Sequence, residues 1–178
     1  KVFMPRALII DTETNGVVEP MEAIELAWME MGAEQSNLWT PGNSHVERFK
    51  PTQPLSYGAL AVHHILPEEL EACPPSAAAK LPFLPDYIIG HNVDFDWKVL
   101  GKPPCKRICT LALSRATYES CDSHTQSAMY YFLNGANSST RTALKEAHSA
   151  AADIMFCFNI LSHLISKLHP RNIEQLWE

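Results

Sequence analysis

Four carboxylates and one histidine stand beside strongly apolar runs in this chain. "ALIIDTETNG", Ala7 to Gly16, carries Asp11 and Glu13; "YIIGHNVDFDW" carries Asp96; "AHSAAADIMFCF" carries His148 and Asp153. In an extended chain alternate side chains share a face, so Asp11 and Glu13 point the same way. Like charges next to core segments repel and resist desolvation, so a cation is needed to hold them. Four carboxylates carry enough charge to balance two divalent hard cations, and all-oxygen donors suit Mg²⁺ or Mn²⁺ better than zinc. Two such ions about 3.5–4 Å apart form the usual clamp for in-line attack on a phosphate. A histidine suits the base that takes a proton from the attacking water. Singly, each segment has an ordinary explanation: a solvated strand end, a helix start capped by Asp94 or Asp96, a surface imidazole. The combination is what points to metal-assisted phosphoryl chemistry.

The elements that must position these residues are legible in outline. Ala7 to Asp11 reads as a buried strand, Ile24 to Met31 as a second, and the alternating "SHVERFKP" as a third, stopped by Pro51. An antiparallel meander is expected for the three. "LSYGALAVHHI" has helical character, and "LPEELEA" reads as a short helix opened by Pro67. A proline-rich loop, Pro74 to Pro85, precedes the short buried strand "DYIIGHN" and a helix beginning "VDFDWKVL", with acids in its first turn where the helix dipole favours them. "KRICT" reads as a strand, "TLALSRATY" and "HTQSAMYYFL" as helices, and a last helix is expected from about Ala143 to Leu168, ended by Pro170. Strands first and alternating helices later predict a mixed sheet flanked by helices, in one domain over residues 1–178.

Composition narrows the function. The chain has 178 residues, 46% of them hydrophobic and 19% charged, as a globular core requires. The formal net charge of −6 counts against a protein that coats nucleic acid by broad electrostatics, but not against an enzyme whose acids hold metal. Five scattered cysteines argue against a disulfide scaffold, and Cys105 and Cys109 lack a second pair at zinc-site spacing. No apolar run reads as a membrane span and no secretory leader opens the chain, so a cytoplasmic protein without a membrane partner is expected.

These segments, in this order, resemble the DnaQ-like (DEDDh) 3′–5′ exonuclease family over most of the chain. "PTQPLSYGALAVHHI" and "ICTLALSR" resemble the stretches on either side of the family's second acidic motif. The resemblance implies an RNase H-like fold, with a central mixed β-sheet flanked by helices. It implies that Asp11, Glu13, Asp96 and Asp153 bind two Mg²⁺ ions, for which Mn²⁺ substitutes, and that His148 is the general base. In the family's "HNxxFD" pattern the ligand follows Phe, which here is Asp96, while Asp94 falls at a variable position. Substrate contacts are implied for Thr12, Thr14, His63, His64, Ile65, His91 and Asn92. His91 and Asn92 are equally suited to fixing a turn by hydrogen bonds. His64 is a departure, because the family commonly has Gly there. The implied activity is hydrolysis of DNA from a single-stranded or frayed 3′ end, releasing nucleoside 5′-monophosphates. RNA cleavage of the RNase T or oligoribonuclease type is the alternative, since catalytic residues do not separate the two. A non-catalytic nucleic-acid-binding module is the rival from another class; all five positions being intact speaks against it. The basic cluster Lys98, Lys102, Lys106 and Arg107 suits either a phosphate backbone or a solvated face. A homodimer is left open.

Overall fold

The computed structural model describes residues 4–33 and 39–177. Five strands, β1 (Ala7–Thr14), β2 (Ala23–Ala33), β3 (Trp39–Arg48), β4 (Tyr87–Gly90) and β5 (Lys106–Cys109), form one sheet in the order β3-β2-β1-β4-β5. The first three make the expected antiparallel meander, and β4 and β5 run parallel to β1 and to each other. The helices are α1 (Tyr57–His63), α2 (Val93–Val99), α3 (Thr110–Thr117), α4 (Gln126–Asn134), α5 (Ser138–Ala143), α6 (Ala150–Leu168) and α7 (Glu174–Trp177). The mixed sheet flanked by helices agrees with the expectation from sequence.

Strand alternation sorts β1 onto two cores. Ala7 and Ile9 face α6, packing in one cluster with Ile154, Cys157 and Leu161. Leu8 and Ile10 face the other way, in a cluster with Val93 and Trp97 of α2. All four are almost wholly shielded from solvent. Burying a Leu or Ile side chain contributes about 1.5–3 kcal/mol, so this run fixes the register of the strand and holds the acids at its end. The same alternation carries forward. Asp11 and Glu13 continue the α6 face, while Thr12 and Thr14 continue the α2 face.

Three expectations are corrected. The last helix begins at Ala150, not near Ala143. Residues 138–146 form α5 and a 3₁₀ turn, and His148 sits at φ 70°, the left-handed region that interrupts a helix. "LPEELEA" forms a 3₁₀ turn over Pro67–Leu70 rather than an α-helix. And α6, at 19 residues, is long and apolar enough by length and composition to cross a membrane. Its apolar residues are instead the core stripe of a helix laid on the sheet, which is why the run is so hydrophobic.

Candidate metal centre

The alternation of β1 decides which acids meet. Ligand oxygens of Asp11, Glu13 and Asp153 lie within 4.8 Å of one another. Asp153 comes from the first turn of α6, capped by Ser149, whose side chain accepts from the Ala152 N–H. Asp153 Oδ1 also accepts from the His148 backbone N–H at 3.2 Å, so the acid grips the loop that precedes its own helix.

Asp96 arrives from the opposite face. It is buried on α2, and its Oδ1 accepts from both the Thr12 N–H (2.9 Å) and the Thr12 hydroxyl (2.7 Å). The residue between the two acids of "DTE" is therefore the one that holds the third. Gly90 allows the tight approach of β4 to α2, since a Cβ there would lie 3.2 Å from the Val93 side chain and 3.4 Å from the Ile10 carbonyl.

The electrostatics are those of a cluster short of positive charge. Burial, then Asp96, Asp153, Glu13 and Glu25 in turn, push Asp11 well above the usual carboxylate range. Burial and the neighbouring acids push Glu13 up to about 8. Burial lifts Asp96 to about 7 against the hydrogen bonds from Thr12, and lifts Asp153 against its bond from His148. Asp11 Oδ2 is buried with no hydrogen-bond partner. An orphaned carboxylate oxygen among three further acids is what a hard cation would satisfy, so the donor set fits a divalent metal.

Two recesses flank the acids. One, of about 410 Å³, is lined by Asp11, His91, Gln126, His148 and Asp153. The other, of about 380 Å³, opens on the α1 side between Thr12, Glu13, Thr14, Val62, His63 and Phe95. The exposed His148 thus shares a recess with two of the acids. His91 also borders it, but both ring nitrogens are engaged, by Thr110 Oγ1 (2.9 Å) and the His124 carbonyl (2.7 Å), and burial lowers its pKa. Its geometry is that of a turn-fixing residue.

The histidine segment divides differently from the expectation. Only His63 reaches the cavity. Its Nδ1 accepts from the Ile65 N–H at 2.9 Å, which puts the proton on Nε2. That Nε2 is buried without a well-formed hydrogen bond. Ile65 packs in a small core with Ile24 and Leu70 and is not a cavity residue. His64 caps α1 at φ 56°, and Asn92 is the N-cap of α2 at φ 71°; neither is among the residues lining these two recesses. Two members of the basic cluster lie elsewhere. Lys106 and Arg107 open β5, at the sheet end remote from the acids. Lys106 pairs with Glu174, and Arg107 with Asp94 at 2.8 Å while stacking over Trp97. Lys106 and Arg107 thus stand on an ion-paired face.

Two residues near the acids were not singled out from sequence. Gln126 hydrogen-bonds the Asp153 carboxylate and borders its recess. Glu25 is buried directly opposite Glu13 on β2. A lone acid in the apolar "AIELAWM" was a signal for it; nothing in the sequence marked Gln126.

Solved structures with this fold agree over nearly the whole chain. Exonuclease X in complex with 5′-overhanging duplex DNA superposes with a TM-score of 0.72 at 21% identity, covering 96% of this chain and 97% of that one. The zinc-bound complex of Escherichia coli exonuclease I with single-stranded DNA gives 0.71 at 20% identity, covering 95% of this chain and 42% of that one. The fold is therefore the RNase H-like fold of these exonucleases. No protein-family model matches the chain. Among curated proteins, exodeoxyribonuclease 10 of E. coli K12 is 33% identical over 109 residues, which is 60% of this chain and 46% of that relative. The match thus spans less than half the length of the curated relative. By fold and by sequence likeness the chain is similar to these exonucleases.

Proposed function

We propose that the chain is a Mg²⁺-dependent 3′–5′ exodeoxyribonuclease that releases nucleoside 5′-monophosphates. The observation that carries this reading is the convergence of Asp11, Glu13 and Asp153 within 4.8 Å, with Asp96 held against Thr12 beside them. Asp11, Glu13, Asp96 and Asp153 would hold a pair of ions, whose positive charge would stabilise the attacking and leaving oxygens of the phosphodiester. Thr12 orients Asp96 through two hydrogen bonds, and the His148 N–H and Gln126 orient Asp153. His148, exposed in the recess that Asp11 and Asp153 share, takes the proton from the attacking water. The α1-side cavity takes the terminal nucleotide of a single-stranded or frayed 3′ end. Its apolar wall, including Val62 and Phe95, receives the base without reading its identity, and His63 Nε2 offers a buried donor. The names of the relatives, an exodeoxyribonuclease and two DNA complexes, favour DNA over RNA.

A digestion panel tests the reading. DNA and RNA of matched sequence, labelled at either end, are incubated with and without Mg²⁺. Expected are a ladder from 5′-labelled DNA, early release of label as mononucleotide from 3′-labelled DNA, and silence in EDTA. Internal cuts, metal-independent cleavage, or faster digestion of RNA would each replace the corresponding part of the proposal.

A further inference from the structure

Glu25 is 3% exposed, in a strand whose neighbours Ile24, Leu26 and Ala27 are fully buried. A carboxylate so placed is costly unless both oxygens are engaged. Both are. Oε2 accepts from Arg48 Nε at 2.8 Å, and Oε1 accepts from the Ala150 N–H at 3.0 Å. Ala150 is the first residue of α6, where a backbone N–H has no acceptor inside the helix. It lies two residues after His148 and three before Asp153, so a chain pinned there has both side chains pinned. Arg48 continues the connection. Its Nη1 meets Glu69 at 3.1 Å, and Glu69 accepts from the Leu66 N–H at 2.8 Å, in the segment just after His63. One run of charges thus ties the α6 side of the acids to the α1 side.

We infer that Glu25 is a positioning residue: held by Arg48, it anchors the first turn of α6 and sets where His148 and Asp153 stand relative to Asp11 and Glu13. A carboxylate that merely helped the fold to hold together would change stability alone. An anchor also changes local protection at Ala150 and the chemical step, leaving substrate binding in place.

The inference rests on the nuclease reading only for its kinetic arm. The first arm is amide exchange on the unmodified, metal-free protein. A hydrogen bond to a charged acceptor slows exchange by about tenfold or more, so the Ala150 amide is expected to be protected although it opens a helix. Exchange at the rate of an unstructured amide would overturn the anchor. The second arm is Glu25→Gln, in which the single carboxamide oxygen cannot accept from both Arg48 and Ala150. Expected are faster Ala150 exchange and a fall in kcat of about 10–100-fold, with KM little changed. An unchanged kcat in a folded, nuclease-active protein would refute the role. Should Glu25→Gln fail to fold, the half-exposed Arg48 serves instead. Arg48→Met is expected to lower kcat and Arg48→Lys to recover part of it; full activity in Arg48→Met overturns the inference. If the unmodified protein digests no nucleic acid, the proposed function fails while the exchange arm still judges the anchor.

Discussion

Without metal, this protein is expected to lose stability as the pH rises from 6.5 to 8, because its acids are forced to ionise next to one another. Glu13 is one contributor, beside Asp11, which burial and the same neighbouring acids hold well above the usual carboxylate range. The Glu13 carboxyl is pushed from the ordinary 4.5 up to about 8, burial first and the neighbouring acids after it. The folded protein therefore keeps a proton that the unfolded chain has already released. Its contribution to stability is fully present below about 4.5 and is lost as the pH climbs towards 8. Each pH unit inside that window costs about 1.4 kcal/mol, so 1.5 units cost about 2 kcal/mol from Glu13. Asp96, raised to about 7, adds a smaller loss at the lower end. His63 and His91 do not confuse the window, since burial lowers both and their effect falls below pH 6.5. For a chain of this size about 2–4 °C of Tm accompanies each kcal/mol, which predicts a fall of roughly 5–10 °C. The assay is thermal unfolding followed by circular dichroism in EDTA at pH 6.5, 7, 7.5 and 8. Glu13→Gln is expected to flatten part of the slope, and saturating Mn²⁺ to reverse it, because the ionised acids are the ones that would bind the metal. A Tm that is level or rising over this range in EDTA would refute the reasoning that the acids are held together against their own repulsion.

The two acids of "VDFDW" separate cleanly. Asp96→Asn is expected to be nearly inactive in the end-labelled DNA assay. Asp94→Asn is expected to keep most of its rate, because Asp94 is exposed and pairs with Arg107, away from the acids; the opposite result would place the ligand at Asp94. His148→Ala is expected to lose about 10²–10⁴-fold in single-turnover rate while its Mn²⁺ affinity stays near that of the parent, since no carboxylate is removed; lost affinity would recast His148 as a support for Asp153. His64→Gly is expected to raise stability by about 0.5–1 kcal/mol, read as a higher Tm, because a non-glycine residue at φ 56° pays for a left-handed backbone. An unchanged or lower Tm would show that the His64 side chain supplies a compensating contact.

The sequence by itself determined a good deal of the site. A strand's period of two is set by covalent geometry, so "LIIDTET" already placed Asp11 and Glu13 on one face, and the apolar run before them already buried their strand. The helix after "YIIGHN", with Asp96 in its first turn, was legible for the same reason: capping and periodicity act between near neighbours. What only the tertiary structure decided are contacts between distant residues. Thr12 holds Asp96 across 84 positions, and Glu25 holds the Ala150 N–H across 125. No local pattern constrains such pairs, because each partner's propensity is the same whether or not the other arrives. The left-handed turn at His148 belongs here too. The Ala-rich stretch around it favours helix, and the helix yields there to a backbone held by the Asp153 carboxylate and by the Glu25 anchor two residues on. The split of His63, His64 and Ile65 among cavity, cap and core likewise follows from where α1 lies on the sheet, not from the letters of the segment. Local geometry chose which side chains share a face; packing of sheet against helices chose which faces meet.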